Sequence, residues 1–169
     1  MNYAQFTRKL ELPPGYVAPA ELAYENLIAR ALTRADLADD VRGINASIEL
    51  IRATRGGGWP EGPVTEDFNY VDLVWHEQEF RESTSFSYAV YDRDGTYVGC
   101  AYLYPMGRRT PLSEALLAND VDVSWWVTPA AYARGEYARL YRALRHWVSA
   151  DFPFREPHYS NAEIPTADV

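Results

Sequence analysis

The sequence is poor in cysteine, histidine and lysine, and each shortage removes a class of chemistry. Cys100 is the one cysteine in 169 residues, so neither an internal disulfide nor a cysteine-rich zinc site can form. It stands in an alternating apolar run with no histidine close in sequence, the setting of a buried structural thiol and not of an activated nucleophile. No run of about 18 apolar residues is present, so no membrane-spanning helix and no membrane partner are expected. The opening MNYAQFTRKLELPPGY lacks the basic segment and apolar core of a signal peptide, and a cytoplasmic location is expected. Positive charge is also short. With a net charge of −8, the chain has no general basic surface, and no nucleic-acid partner is expected. His76 follows Asp72 by one turn and precedes Glu79, but no second histidine stands four residues away. The zinc-protease motif is therefore absent and no metal is expected; His76 reads as a helix-surface residue paired with Asp72. His146 and His158 show no triad pattern and read as structural.

What is present describes one folded domain. A hydrophobic content of 47 % and an aromatic content of 14 % suit a single core. Lys9 is the one lysine, and the other fifteen basic residues are arginines. Arginine suits planar recognition of carboxylates and phosphates, though a composition bias of the source genome accounts for the same count. Residues 1–23 contain LPPGYVAPAEL, whose prolines and glycine forbid a long helix. This segment is expected to be an extended arm, pinned by Tyr3, Phe6, Leu10, Leu12 and Tyr16 to a single domain of residues 24–169.

Periodicity places the elements. NLIARALT (26–33) reads as a first strand. Thr33 then caps a helix running to Thr54, with Asp36 close to a capping box and Leu37, Val41, Ile44, Ile48 and Ile51 at helical spacing. Gly43 is expected to mark a break or bend in it. GGGWPEGPV (56–64) is a loop; no Lys-Ser/Thr follows its glycines, which excludes a P-loop. Thr65, Glu66 and Asp67 start a second helix, with Phe68, Val71, Val74 and Trp75 as its apolar side. SFSYAVYD (85–92) and YVGCAYLYP (97–105) are strands joined by a hairpin at Asp94-Gly95. After an irregular stretch, DVDVSWWV (120–127) alternates cleanly. Val121, Val123, Trp125 and Val127 share one face; Asp120, Asp122, Ser124 and Trp126 share the other. A helix over about 130–150 and a last short strand within FPFREPHYSN complete a mixed α/β, or α+β, order with an antiparallel meander in the middle.

Three segments, LTRADLADDV, YAVYDRDGTYVGCAYLYP and DVDVSWWVTPAAYARGEYARLYRALRHWV, resemble the GCN5-related N-acetyltransferase (GNAT) family. They resemble its entry into the first helix, its central hairpin and its strand leading to the cofactor helix. The resemblance covers roughly residues 24–161. It implies the GNAT-like acyl-CoA N-acyltransferase fold, a central, mostly antiparallel sheet flanked by helices. It also implies acetyl-coenzyme A as cofactor and a small amine as substrate. In that arrangement the unpaired amides at the start of the 130–150 helix hold the cofactor's pyrophosphate. Carried over residue by residue, the resemblance implies cofactor contacts at Trp125, Trp126, Val127, Arg134, Gly135, Ala138 and Asn161. It implies a general base at Asp122, with Tyr159 the nearest residue to a general acid, and an acceptor pocket near Trp59 and Trp75. If Asp120 and Asp122 are buried side by side, like-charge coupling should raise one of their pKa values.

Two departures from the family pattern matter. The family loop runs Arg or Gln, two residues, Gly, one residue, then Gly or Ala. Aligned on Tyr132, this chain matches at Ala138 and sets Glu136 at the glycine position. Two like charges about 4 Å apart repel by about 4 kcal/mol at an effective dielectric near 20. Rotation to solvent, or Arg134 and Arg139, would offset that. In addition, 19 residues follow Ala150, room for a strand but not for the family's later helix and final hairpin. The C-terminal part is thus expected to be truncated, with the arm or the second subunit of a homodimer covering the surface left open. The alternative reading is a non-catalytic GNAT-like module that binds a small molecule or a protein and has lost coenzyme A.

Overall fold

Turn residues cut the chain into short strands around a helical insertion, and the computed structural model describes residues 1–3 and 5–166 of it. A hairpin of β1 (Glu21–Tyr24) and β2 (Leu27–Ala31) comes first. Thr33 and Asp36 then form a complete capping box, which launches α1 (Leu37–Ala46) and α2 (Ile48–Arg55). Thr65 caps α3 (Glu66–Arg81) by accepting from the Phe68 amide. The meander follows as β3 (Phe86–Asp92), β4 (Tyr97–Tyr104) and β5 (Val121–Val127). The chain closes with α4 (Pro129–Ala133), α5 (Glu136–Asp151) and β6 (Pro157–Tyr159). The six strands lie in sequence order in one sheet. All neighbours pair antiparallel except β5 and β6, which run parallel. This is the α+β architecture expected, a mostly antiparallel sheet flanked by helices. Among the described residues, no helix is long and apolar enough to cross a membrane.

Each face of the sheet carries a core. On one face Trp125, Leu140, Leu144 and Trp147 pack α5 onto the strands, and Leu10, Leu12 and Tyr16 of the arm join them. On the other face Ile44, Ile51 and Leu73 of α1–α3 cover Cys100, Tyr102 and Trp126. β5 is buried along its whole length, because its two alternating sets of side chains enter different cores.

Four local expectations need correction. β1 takes up the last residues of the expected arm; with four residues and only Leu22 fully buried, its alternation is too short to read. Phe6 does not pin the arm, being 46 % exposed. The helical break falls at Ser47, not at Gly43. Gly43 sits inside α1, where a Cβ atom would lie 2.4 Å from Cε1 of Tyr97. The apolar side expected for α3 is turned outward, with Phe68, Val71 and Trp75 all more than half exposed. Its inner face is instead Asn69, Leu73 and His76. The two polar residues go inside because each has a partner there: Asn69 Nδ2 donates to Asp40 Oδ2 at 2.7 Å, and His76 Nδ1 lies 3.0 Å from Ser87 Oγ. A polar group so satisfied can be buried at little cost.

Gly43 gives a test of sign. A glycine that merely bends a helix would gain about 1 kcal/mol on mutation to alanine. Tyr97 cannot easily yield here, since its hydroxyl is bonded to Asp40 at 2.7 Å and its ring packs against Trp126 and Tyr91. Gly43→Ala is therefore expected to lose about 1–3 kcal/mol by overpacking, measured by urea denaturation.

Candidate functional site

The site forms where β6 leaves β5. The parallel ladder runs from Val121 to Val123, and Ser160 N donates to Val123 O at 2.9 Å. Beyond that point a side chain replaces the strand. Trp125 N donates to Asn161 Oδ1 at 3.1 Å, and Asn161 Nδ2 donates to Trp125 O at 2.9 Å and to the Tyr137 hydroxyl at 2.8 Å. Asn161 is 6 % exposed, so these bonds replace water at a buried strand edge. The following residues close the end of α2: Ala162 N donates to Arg55 O at 3.1 Å and Glu163 N to Thr54 O at 2.8 Å. Carbonyls in a helix's last turn need such donors.

The turn ahead of α5 is built from two helix ends. Thr128 caps α4 with Pro129 in its first turn, and exposed Arg134 ends it. Gly135, at φ 81°, then opens α5 with no side-chain cap. The amides of the first turn, up to half-buried Ala138, are thus left without a side-chain acceptor, as an anion site needs. Glu136 neither rotates to solvent nor uses Arg134. It is 3 % exposed, and its Oε1 accepts from Asn26 Nδ2 at 3.0 Å and pairs with Arg139 Nη1 at 2.8 Å.

Asp122 is fully buried. Its Oδ1 accepts from the Ser160 hydroxyl, while its Oδ2 is buried without a partner. Asp120 does not share this site, because its oxygens accept from the Arg155 and Glu156 amides; the expected like-charge pair does not arise. Tyr159 is also displaced from it. The alternation of β6 sends Tyr159 to the α5 face, where its ring meets Tyr141 at 5.5 Å and lies below Arg145. Burial raises the Tyr159 pKa to about 12. The next residue, Ser160, reaches Asp122 in its place.

The two tryptophans of β5 part in the same way. Trp125 belongs to the core, stacked on Tyr141 at 5.2 Å. Trp126 shares the Asp122 face, and its Nε1 donates to the Tyr102 hydroxyl at 2.8 Å. Val127, two residues after Trp125, points its backbone to the same edge by strand parity. On the Asp122 face a cavity of about 240 Å³ is lined by Arg55, Trp59, His76, Tyr102, Tyr104 and Arg108, among others. Trp59 is therefore at a pocket. Trp75 is not: it is 59 % exposed on the outer side of α3, carried there by the rotation that buries Asn69 and His76.

His76 is paired with Asp72 at 3.3 Å as expected, but it is buried and also contacts Ser87. This chain of three groups is not a hydrolase triad. Ser87 is 1 % exposed while the Asp72 side chain is 48 % exposed, the reverse of what an accessible nucleophile needs. Cys100 is fully buried, and burial followed by the charge of Asp40 pushes its thiol well above the usual range, so it is an inert structural thiol. Among the described residues, no group of His, Cys, Asp and Glu could hold a metal ion. Sequence reading missed Arg55, Arg109 and Ser160. Ser160 could have been found from β6 alternation; the arginines lie in loops or at a helix end, where no periodicity points.

No family model and no curated protein matches the chain. Solved structures do. RimL, the ribosomal L7/L12 alpha-N-protein acetyltransferase in complex with coenzyme A, superposes at a TM-score of 0.56 with 10 % identity, covering 81 % of this chain and 71 % of that one. The ribosomal-protein-S5-alanine acetyltransferase from Vibrio fischeri gives 0.56 at 11 % identity, covering 77 % and 67 %. A GNAT-family acetyltransferase from Bacillus anthracis gives 0.51 at 14 % identity, covering 76 % and 65 %. The chain therefore has the GNAT acyl-CoA N-acyltransferase fold. At these identities the likeness speaks for the fold alone.

Asn161 is the part of the site most open to test. Asn161→Ala removes three buried hydrogen bonds and strips the Trp125 backbone of its partner. The expected loss is about 2–4 kcal/mol, read from chemical denaturation.

Proposed function

We propose that this chain is an acetyl-coenzyme A-dependent N-acetyltransferase acting on a small amine. The observation that carries this reading is Asp122, a buried carboxylate with one free oxygen on the strand that runs into the Gly135 turn of a GNAT fold. The start of α5 suits a pyrophosphate in that Gly135 places no side chain over the turn and Glu136 is drawn aside to Asn26 and to Arg139, which also pairs with Glu25. Arg134, Gly135 and Ala138 would border it. The strand edge fits only by exchange. Trp125 already has an amide on both its N–H and its C=O, and a pantetheine amide can take those two bonds only in place of Asn161. Trp125 and Val127 would then hold the ligand's arm through their backbone.

Coenzyme A, when bound, supplies an acetyl thioester. The residues of the chain prepare the other reactant. Asp122 Oδ2 is the acceptor for a proton leaving an ammonium group. The Ser160 hydroxyl holds the other oxygen and fixes the carboxylate plane. Trp126 and the tyrosines of β4 keep water from this face. Tyr159, on the opposite face, is not assigned a part in protonating the leaving thiolate.

A second reading has its own observation. Because Asn161 fills the strand edge, the chain also suits a module that binds a small molecule and transfers nothing. A titration separates the two. Acetyl-coenzyme A at about 100 times its dissociation constant should stabilise the fold by about 2.7 kcal/mol, and Asp122→Asn should abolish acetyl transfer while leaving that stabilisation in place. If millimolar acetyl-coenzyme A gives no thermal shift, the transferase reading fails and the binding module stands.

A further inference from the structure

Two arginines behind the cavity are left out of the ion pairs that hold its neighbouring charges. Arg55, at the end of α2, is 7 % exposed. Its Nε donates to Ser124 Oγ at 3.2 Å, and its guanidinium carbon lies 4.3 Å from the Tyr102 ring centre and 5.6 Å from that of Trp59. Arg109 reaches into the same place: its Nη2 donates to the Arg55 carbonyl, and its Nε is buried with no partner. None of the ion pairs among the described residues includes Arg55 or Arg109. The neighbouring acids are committed elsewhere, Glu79 to Arg108 and Asp72 to His76. Asp122 is the one acid whose charge favours that of Arg109, and burial and Arg55 both push the Arg109 pKa down. Buried Arg55 and half-buried Arg109 are adjacent, and neither pairs with Asp122.

An unpaired buried charge is costly, and a chain retains one where a ligand supplies the counter-charge. Arg55 and Arg109 have no ion-pair partner, while Asp72 lines the cavity and Asp122 lies beside its wall; a monoanion meets less repulsion there than a dianion. The planar guanidinium of Arg55 suits a two-oxygen acceptor, and the rings of Trp59, Tyr102 and Tyr104 suit an apolar body. The strand register sets Asp122 directly across from Tyr104, and Ser124 across from Tyr102. Cross-strand neighbours lie about 5 Å apart at Cβ, so Asp122 lies beside Tyr104 of the cavity wall.

We infer that the cavity takes the carboxylate of a small organic acid, held by Arg55. The amine half of the inference rests on the transferase reading: with Asp122 as base, the acceptor is a compound carrying both a carboxylate and an amine, such as an aromatic or other apolar amino acid.

Binding is measured on the whole chain without coenzyme A, so that it does not depend on transfer. The probes are phenylalanine, hydrocinnamate, phenylalaninamide, phenethylamine and inorganic phosphate. Phenylalanine and hydrocinnamate should raise the melting temperature; the amide and phenethylamine should not. Arg55→Gln should weaken the two acids by at least about tenfold, with circular dichroism checking its fold. If that variant does not fold, the wild-type comparison of acid with amide decides alone. Equal binding of acid and amide, no binding of either acid, or tighter binding of phosphate overturns the inference. Binding of the acids with no acetylation of phenylalanine supports the carboxylate site and overturns the transferase reading. Acetylation of amines regardless of a carboxylate does the opposite.

Discussion

The structure depends on a strand with no solvent face. β5 sends Val121, Val123, Trp125 and Val127 into the core under α5, and Asp122, Ser124 and Trp126 into the core under α1–α3. Every polar group on such a strand has to find a partner from within the chain. Much of the site follows from that need. Ser160 meets Asp122, Arg55 meets Ser124, and Tyr102 meets the Trp126 indole. Asn161 meets the Trp125 backbone where the neighbouring strand has ended. The strand's own side-chain atoms left without a partner are one oxygen of Asp122, on the cavity side, and the indole nitrogen of Trp125, in the core under α5.

Element order was largely legible in the sequence because it rests on periodicity. The alternation of 120–127, the Asp94-Gly95 turn and the Thr33–Asp36 cap each correspond to a feature in place. The rotation of α3 was not legible. Phe68, Val71, Val74 and Trp75 make an apolar stripe, yet the helix buries Asn69 and His76. Hydrophobic pattern alone favours the first face. Hydrogen-bond partners on other elements, Asp40 and Ser87, decide for the second, and a single sequence does not show which distant residues meet. Trp75 was misplaced for this reason.

The candidate site divides along the same line. Alternation within β5 places Asp122 and Trp126 on one face and Trp125 on the other. The same rule applied to β6 separates Tyr159 from Asp122 and substitutes Ser160. Glu136 needed the fold, since the partner that draws its carboxylate aside besides Arg139 is Asn26, more than a hundred residues earlier. Arg55 and Arg109 needed it too: a helix end and an irregular loop converge on one cavity, and neither carries a pattern of its own.

Asn161 also sets a time scale. A ligand that uses the Trp125 edge cannot simply add to it; two hydrogen bonds to Asn161 must break first, and the backbone bonds of Ala162 and Glu163 hold that segment to α2. Entry is then a two-stage event, local opening followed by capture. The observed association rate of such a ligand would climb with concentration at first and then level off at the frequency of opening. For any ligand at that edge, the pace of occupancy would be set by the opening of the chain and not by diffusion.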